Sequence, residues 1–268
     1  MREKIKILIA TDLLFLIFLL VSGALSGALS TIVYILAFVL PFAFAVFASK
    51  INLKSKEGIV PIKNIDIAAA EIFPTVATVL FVSTVTARIL LLLFGKANEI
   101  SLSDNIFLEI ILHALLPAVM EEMLFRYIPL RLLSKDNAKA CVLISALLFA
   151  LSHHSLFSMP YAFIAGVSFM IVDIASGSVI PSIVMHFINN TLSVLLMAFS
   201  GSSAFSFGIQ LSVLMLAIIS LVYLFVARKS VFSRLSGVLR AGEKYTFSYE
   251  LLIIIIPTVL IAVLEILL

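Results

Sequence analysis

The chain has 268 residues, of which 63% are hydrophobic and only 12% charged, with a mean hydropathy of +1.24; an ordinary globular domain runs at about 45–50% and about 25%. So little polar surface excludes a soluble particle or a disordered chain, and a single cysteine, Cys141, excludes a disulfide scaffold. The net charge of +3 and the pI near 9.0 read first as topology signals rather than as a basic surface for nucleic acid.

About 20 apolar residues cross a hydrocarbon core, and the sequence predicts nine such stretches, at 8–24, 30–48, 67–95, 106–130, 139–154, 157–175, 179–199, 207–227 and 248–268. The third is long and carries Pro74, so it can tilt, kink or begin as an interfacial helix. The fifth is short for a crossing. The expected fold is therefore all-α, a polytopic membrane protein of eight to nine transmembrane helices in one domain, 1–268. Arg2, Lys4 and Lys6 before the first stretch give it the look of a signal peptide. Asp12 interrupts that stretch and the rest of the chain is membrane-embedded, which points to an uncleaved first helix.

Lysine and arginine set the expected sidedness. Fifteen of the eighteen lie before span one, between spans two and three, after span four or after span eight, all on one side if the spans alternate. Lys96 alone lies on the other side. By the positive-inside rule the amino terminus and the loops 49–64 and 228–247 are cytoplasmic, in a multi-pass protein of the cell membrane. A nucleic-acid surface would ignore span parity, so no nucleic-acid partner is expected. The expected partners are membrane lipids and a membrane-embedded or lipidated peptide.

An ionisable group near mid-bilayer costs about 2.5–3.5 kcal/mol on insertion scales, so it should sit near an end, be paired, or do something. Asp12, Glu71 and Asp173 are near the cytoplasmic ends of their stretches, and Glu109 and Arg88 near the outer ends. Interfacial anchoring or an ordinary ion pair accounts for these. Glu121, Glu122 and Arg126 lie deeper. Glu122 and Arg126 are four apart and share a face, so they can neutralise each other. Glu121 is turned about 100° away. A carboxylate beside a second carboxylate in low dielectric has an affinity for a proton, the property of a general base.

The four histidines, His113, His153, His154 and His186, all fall in the central part of the chain. Phe149 precedes His153 by one turn. Asn190 follows His186 by one turn, so the two point from one helix face, which must look into the bundle because a carboxamide in lipid is left unsatisfied. Asn189 points elsewhere and can cap or bridge helices.

Glu121-Glu122-Met-Leu-Phe125-Arg126, then Phe149-Ala-Leu-Ser-His153, then His186-Phe-Ile-Asn-Asn190 resemble the three motifs of the CPBP intramembrane proteases. That family joins the CAAX prenyl proteases of the Rce1 type with the bacterial Abi proteins. The resemblance places a core of four helices at 105–200 and implies an endopeptidase sunk in the membrane. It implies that Glu121 and His153 bind and activate the attacking water and that His186 and Asn190 stabilise the oxyanion. Glu122 and Arg126, with Phe149, support the site.

The residues themselves are consistent with that chemistry. Glu121 can take a proton from water and return it to the leaving amine, while an imidazole and a carboxamide one turn apart offer two donors to one oxygen. No Ser-His-Asp set is evident and His-Glu-x-x-His is absent. The expectation is a site without cofactor. A zinc-dependent version held by Glu121, His153 and His186 stays open, as do a proton-coupled transporter and a binding or immunity protein. The four catalytic groups are expected in one cavity open to the cytoplasmic half or to lipid.

Overall fold

The computed structural model describes residues 1–53, 105–153, 158–199 and 249–267, with isolated positions at 55, 57–59, 79, 155 and between 207 and 226. The expected stretch 67–95, most of 207–227 and the loop 228–247 lie outside the described residues, and so do Glu71, Arg88 and His154. The described chain is helical, with no strand and a single bridge between Gly58 and Ser178. Helix α1 runs Arg2–Gly23, α2 Gly27–Ser49, α4 Ala138–Leu151, α5 Met159–Ser176, α6 Ile180–Ala198 and α7 Leu252–Leu267. Between α2 and α4 stands the rod α3 (106–133), built from three α-helical pieces joined by π-helical turns at Ile111–Leu115 and Met123–Tyr127. Among the described residues α1, α2, α5 and α6 are long and apolar enough to cross a membrane. At 14 residues, α4 is shorter than a full crossing.

Local chemistry sets the helix ends. The Asn105 side chain accepts from the Leu108 amide (3.2 Å) at the start of α3, and Asn137 accepts from Ala140 (2.9 Å) at the start of α4. Gly177, at φ 70°, ends α5 in the left-handed region that glycine enters without strain. A π turn breaks the regular ladder of backbone bonds, and in a bilayer every freed carbonyl must find another donor. The Phe125 carbonyl, inside the second π turn, accepts from the Ser145 hydroxyl of α4 at 2.5 Å.

Packing joins α1, α2, α3 and α4 through a run of edge-on rings. Phe15 meets Phe38 (5.0 Å) and Phe125 (5.4 Å), and Phe125 meets Phe149 (5.8 Å). The α4–α5 contact is made at a small residue instead. A Cβ added at Gly166 would lie 2.7 Å from the Ala146 Cα, which is backbone and cannot swing aside. Gly166→Ala is therefore expected to force the helices apart at a cost of about 1–3 kcal/mol. Thermal unfolding in detergent should show the lowered midpoint; an unchanged midpoint would mean that the two helices separate freely.

One end of the bundle gathers the basic residues. Lys4 pairs with Asp136 (2.6 Å), Arg2 with Glu250, and Glu57 bridges Arg131 (2.9 Å) and Lys135. The segment at 57–59 is held there by the turn between α5 and α6, where Val179 N donates to Gly58 O (2.9 Å) and the Ser178 hydroxyl to Ile59 O (2.6 Å). Two expectations are corrected. Asp173 does lie near the end of its helix, which closes at Ser176, but neither Asp12 nor Asp173 is an exposed anchor: both are buried, at 1% and 0% exposure. Asp12 lies ten residues into a helix that begins at Arg2. Asp173 faces inward because its carboxylate accepts the Ser182 amide (3.2 Å), one of the free donors at the start of α6.

Candidate active site

Four elements bring the singled-out residues together. Glu121 comes from α3, Phe149 from α4, His153 from just beyond the end of α4, and His186 and Asn190 from α6. Glu121, His153, His186 and Asn190 all line one cavity of about 220 Å³. Glu122 and Arg126 do not reach it; both are fully buried behind it.

Each imidazole is held by one nitrogen. His186 Nδ1 lies 2.7 Å from Glu122 Oε1 and His153 Nδ1 2.9 Å from the Phe149 carbonyl. A carboxylate or carbonyl oxygen only accepts, so Nδ1 is the donor in each ring and Nε2 is the nitrogen turned away from that bond. In His186 that nitrogen lies 3.9 Å from Glu121 Oε2, too long for a hydrogen bond. In neutral rings both Nε2 atoms accept; a protonated ring donates from Nε2 as well. Beside them, Asn189 Nδ2 donates to Asn190 Oδ1 (3.3 Å), which leaves the Asn190 NH₂ group to donate elsewhere.

Glu122 does more than its spacing shows. The i,i+4 contact with Arg126 is present, with Nε 3.1 Å from Oε2. The same carboxylate turns its other oxygen to His186 on a different helix, 64 positions away in the chain. The Arg126 guanidinium in turn lies over the Phe149 ring, 3.8 Å from its centroid. That ring also takes the His153 and His186 imidazoles edge-on at 4.8 and 5.7 Å. Phe149 thus takes a buried cation on its face and meets two imidazoles edge-on.

Residues 103–192 match the family model of the type II CAAX prenyl endopeptidases, Rce1-like. No curated protein and no solved structure matches the chain. The Rce1-like region covers α3 to α6 up to Leu192 and holds every residue of the three motifs. It supports a hydrolase of the CAAX intramembrane-endopeptidase kind, associated with membranes and acting on peptides.

The Rce1-like region also contains cavity residues to which the sequence alone assigns no role. His113 lines the cavity, and its Nε2 lies 3.2 Å from Glu109 Oε2 one turn earlier. Glu109 is therefore one half of a pair, and the i,i+4 spacing was the available signal. Tyr161, edge-on to His153 at 6.2 Å, and Asn189 also line the cavity. No signal marked Tyr161, because a tyrosine in a span reads as an ordinary amphipathic ring. For a metal, Glu122 on His186 Nδ1 is the outer carboxylate that metal-bound histidines use. Among the described residues, however, no three His, Cys, Asp or Glu side chains are arranged to share one ion.

Proposed function

We propose that the protein is a glutamate-type intramembrane endopeptidase that hydrolyses a peptide bond of a membrane-associated or lipidated substrate. The observation that carries the reading is the cavity itself: Glu121, His153, His186 and Asn190 line one space, and the His153 and His186 imidazoles are each fixed through Nδ1. Water held between Glu121 and His153 Nε2 attacks the scissile carbonyl as Glu121 takes its proton. The carbonyl oxygen becomes the oxyanion, stabilised by the Asn190 NH₂ group and by Nε2–H of a protonated His186, whose charge Glu122 balances. Collapse of the tetrahedral intermediate breaks the C–N bond, and Glu121 returns the proton to the leaving amine. No step calls for a metal ion. Glu122 and Arg126 keep the imidazole and the α3 helix in register, and the amino terminus lies in the cytoplasm.

The test is incubation of the purified protein in detergent with transmembrane peptides and with lipidated peptides, read by mass spectrometry. Cleavage at a defined bond is expected, undiminished after exhaustive chelation. An intact peptide pool across both substrate kinds would overturn the protease reading. Cleavage lost on chelation and restored by zinc would instead assign Glu121, His153 and His186 to a metal.

A further inference from the structure

We propose that Asp173 is a positioning residue of the active site: its carboxylate caps α6 from the neighbouring helix and so sets the rotation and height at which α6 presents His186 and Asn190 to the cavity. The inference deepens the endopeptidase reading and rests on it for the reaction. The link from Asp173 to His186 rests on hydrogen bonds and packing alone.

The start of a helix leaves its first backbone N–H groups without an intrahelical partner, and the hydrocarbon of a bilayer offers no water to take them up. In α6 each of these donors is accounted for. The Val179 amide donates to the Gly58 carbonyl (2.9 Å), the Ile180 amide to the Ser178 hydroxyl (3.2 Å), and Pro181 has no N–H. The Ser182 amide is left. A helix commonly meets that need with the side chain of its own N-cap, but the N-cap here is Val179, which makes no side-chain bond. Asp173 Oδ1, nine positions earlier on α5, accepts the bond instead (3.2 Å). A carboxylate there also meets the positive end of the α6 dipole.

The same residue grips the turn that leads into α6. The Asp173 carbonyl accepts the Gly177 (2.8 Å) and Ser178 (3.2 Å) amides, so its backbone and its side chain hold both sides of the reversal. Ser182 precedes His186 by one turn and Asn190 by two, along one stripe of the helix. A shift at Ser182 is therefore passed along α6 to both. Little play is tolerated, because His186 Nδ1 has to meet Glu122 Oε1 of α3 at 2.7 Å. A second contact from α5 steadies the imidazole: Phe169, one turn before Asp173, has its ring centroid 6.1 Å from that of His186. Asp173 and Ser182 are both fully buried, so no solvent competes for the bond between them.

The test uses the full-length protein in detergent with nitrogen-15 in its four histidines, His186→Gln serving to assign the His186 Nδ1 signal. Asp173→Asn keeps an oxygen for the Ser182 amide, and Asp173→Ala removes it. Asp173→Ser, whose hydroxyl stops short of that amide, takes the place of the alanine variant if the latter does not fold. The expected result is a His186 signal unmoved in Asp173→Asn and displaced in Asp173→Ala. On a peptide cleaved by the wild type, kcat should be retained in Asp173→Asn. In Asp173→Ala it should fall about 10²-fold at unchanged KM, the loss that a misplacement of about 1 Å brings. A purely structural role would lower the folded yield and move neither reading in the protein that folds. Wild-type signal and turnover in folded Asp173→Ala would overturn the proposal. So would Asp173→Asn as impaired as Asp173→Ala, or loss of all folded protein in both truncations, which would give Asp173 to the fold and not to the site. If no form cleaves any peptide, the endopeptidase reading falls, and the His186 signal still decides whether Asp173 positions that ring.

Discussion

Replacing Glu121 by glutamine is expected to lower hydrolysis by about 10²–10⁴-fold, the range removed with a general acid–base group, while the amount of folded protein stays as in the wild type. Glutamine keeps the length and the hydrogen-bonding capacity of the side chain but cannot take a proton from water. The fold does not lean on this carboxylate. It lines the cavity, and its partner His186 stands 3.9 Å away rather than in a hydrogen bond. The measurement is kcat on a peptide cleaved by the wild type, alongside the yield of monodisperse protein in detergent. Wild-type turnover by Glu121→Gln would remove Glu121 from the chemistry.

Arg126→Met is expected to act in the opposite way, on the fold before the reaction. The guanidinium is fully buried, stacked on Phe149 and paired with Glu122. Removing it leaves Glu122 as a buried charge with only His186 to answer it, and breaking a buried pair costs about 3–5 kcal/mol. Folded yield and the thermal midpoint should both fall. A midpoint unchanged in Arg126→Met would show that the ion pair contributes nothing net.

The motifs were legible because each is a one-turn spacing on a single helix. Glu122–Arg126, Phe149–His153 and His186–Asn190 are all four apart, and such pairs meet on any helix. Contacts between helices were not legible. Glu122 with His186, Arg126 over Phe149 and Tyr161 beside His153 depend on how α3, α4, α5 and α6 pack, which no periodicity encodes. The helical class and most helix limits were readable from hydropathy, as with 179–199 against Ile180–Ala198. The rod α3 reads as one uniform apolar stretch, since hydropathy does not see a backbone bond moved from i+4 to i+5.

Those two π turns have a consequence for how such a site can change over time. A π turn is one residue too many for the helix that contains it, the footprint of an insertion absorbed without breaking the rod. Each extra residue turns everything beyond it by about 100°. In α3 one such turn, Ile111–Leu115, lies between Glu109 and Glu121, and the other, Met123–Tyr127, lies between Glu122 and Arg131. The segment with Glu109, the stretch with Glu121 and the Arg131 clasp on Glu57 are thus three parts of one helix with separately adjustable phases. Loss of a single residue from either turn would reaim one part against the other two and leave the hydrophobic length of the rod almost unchanged.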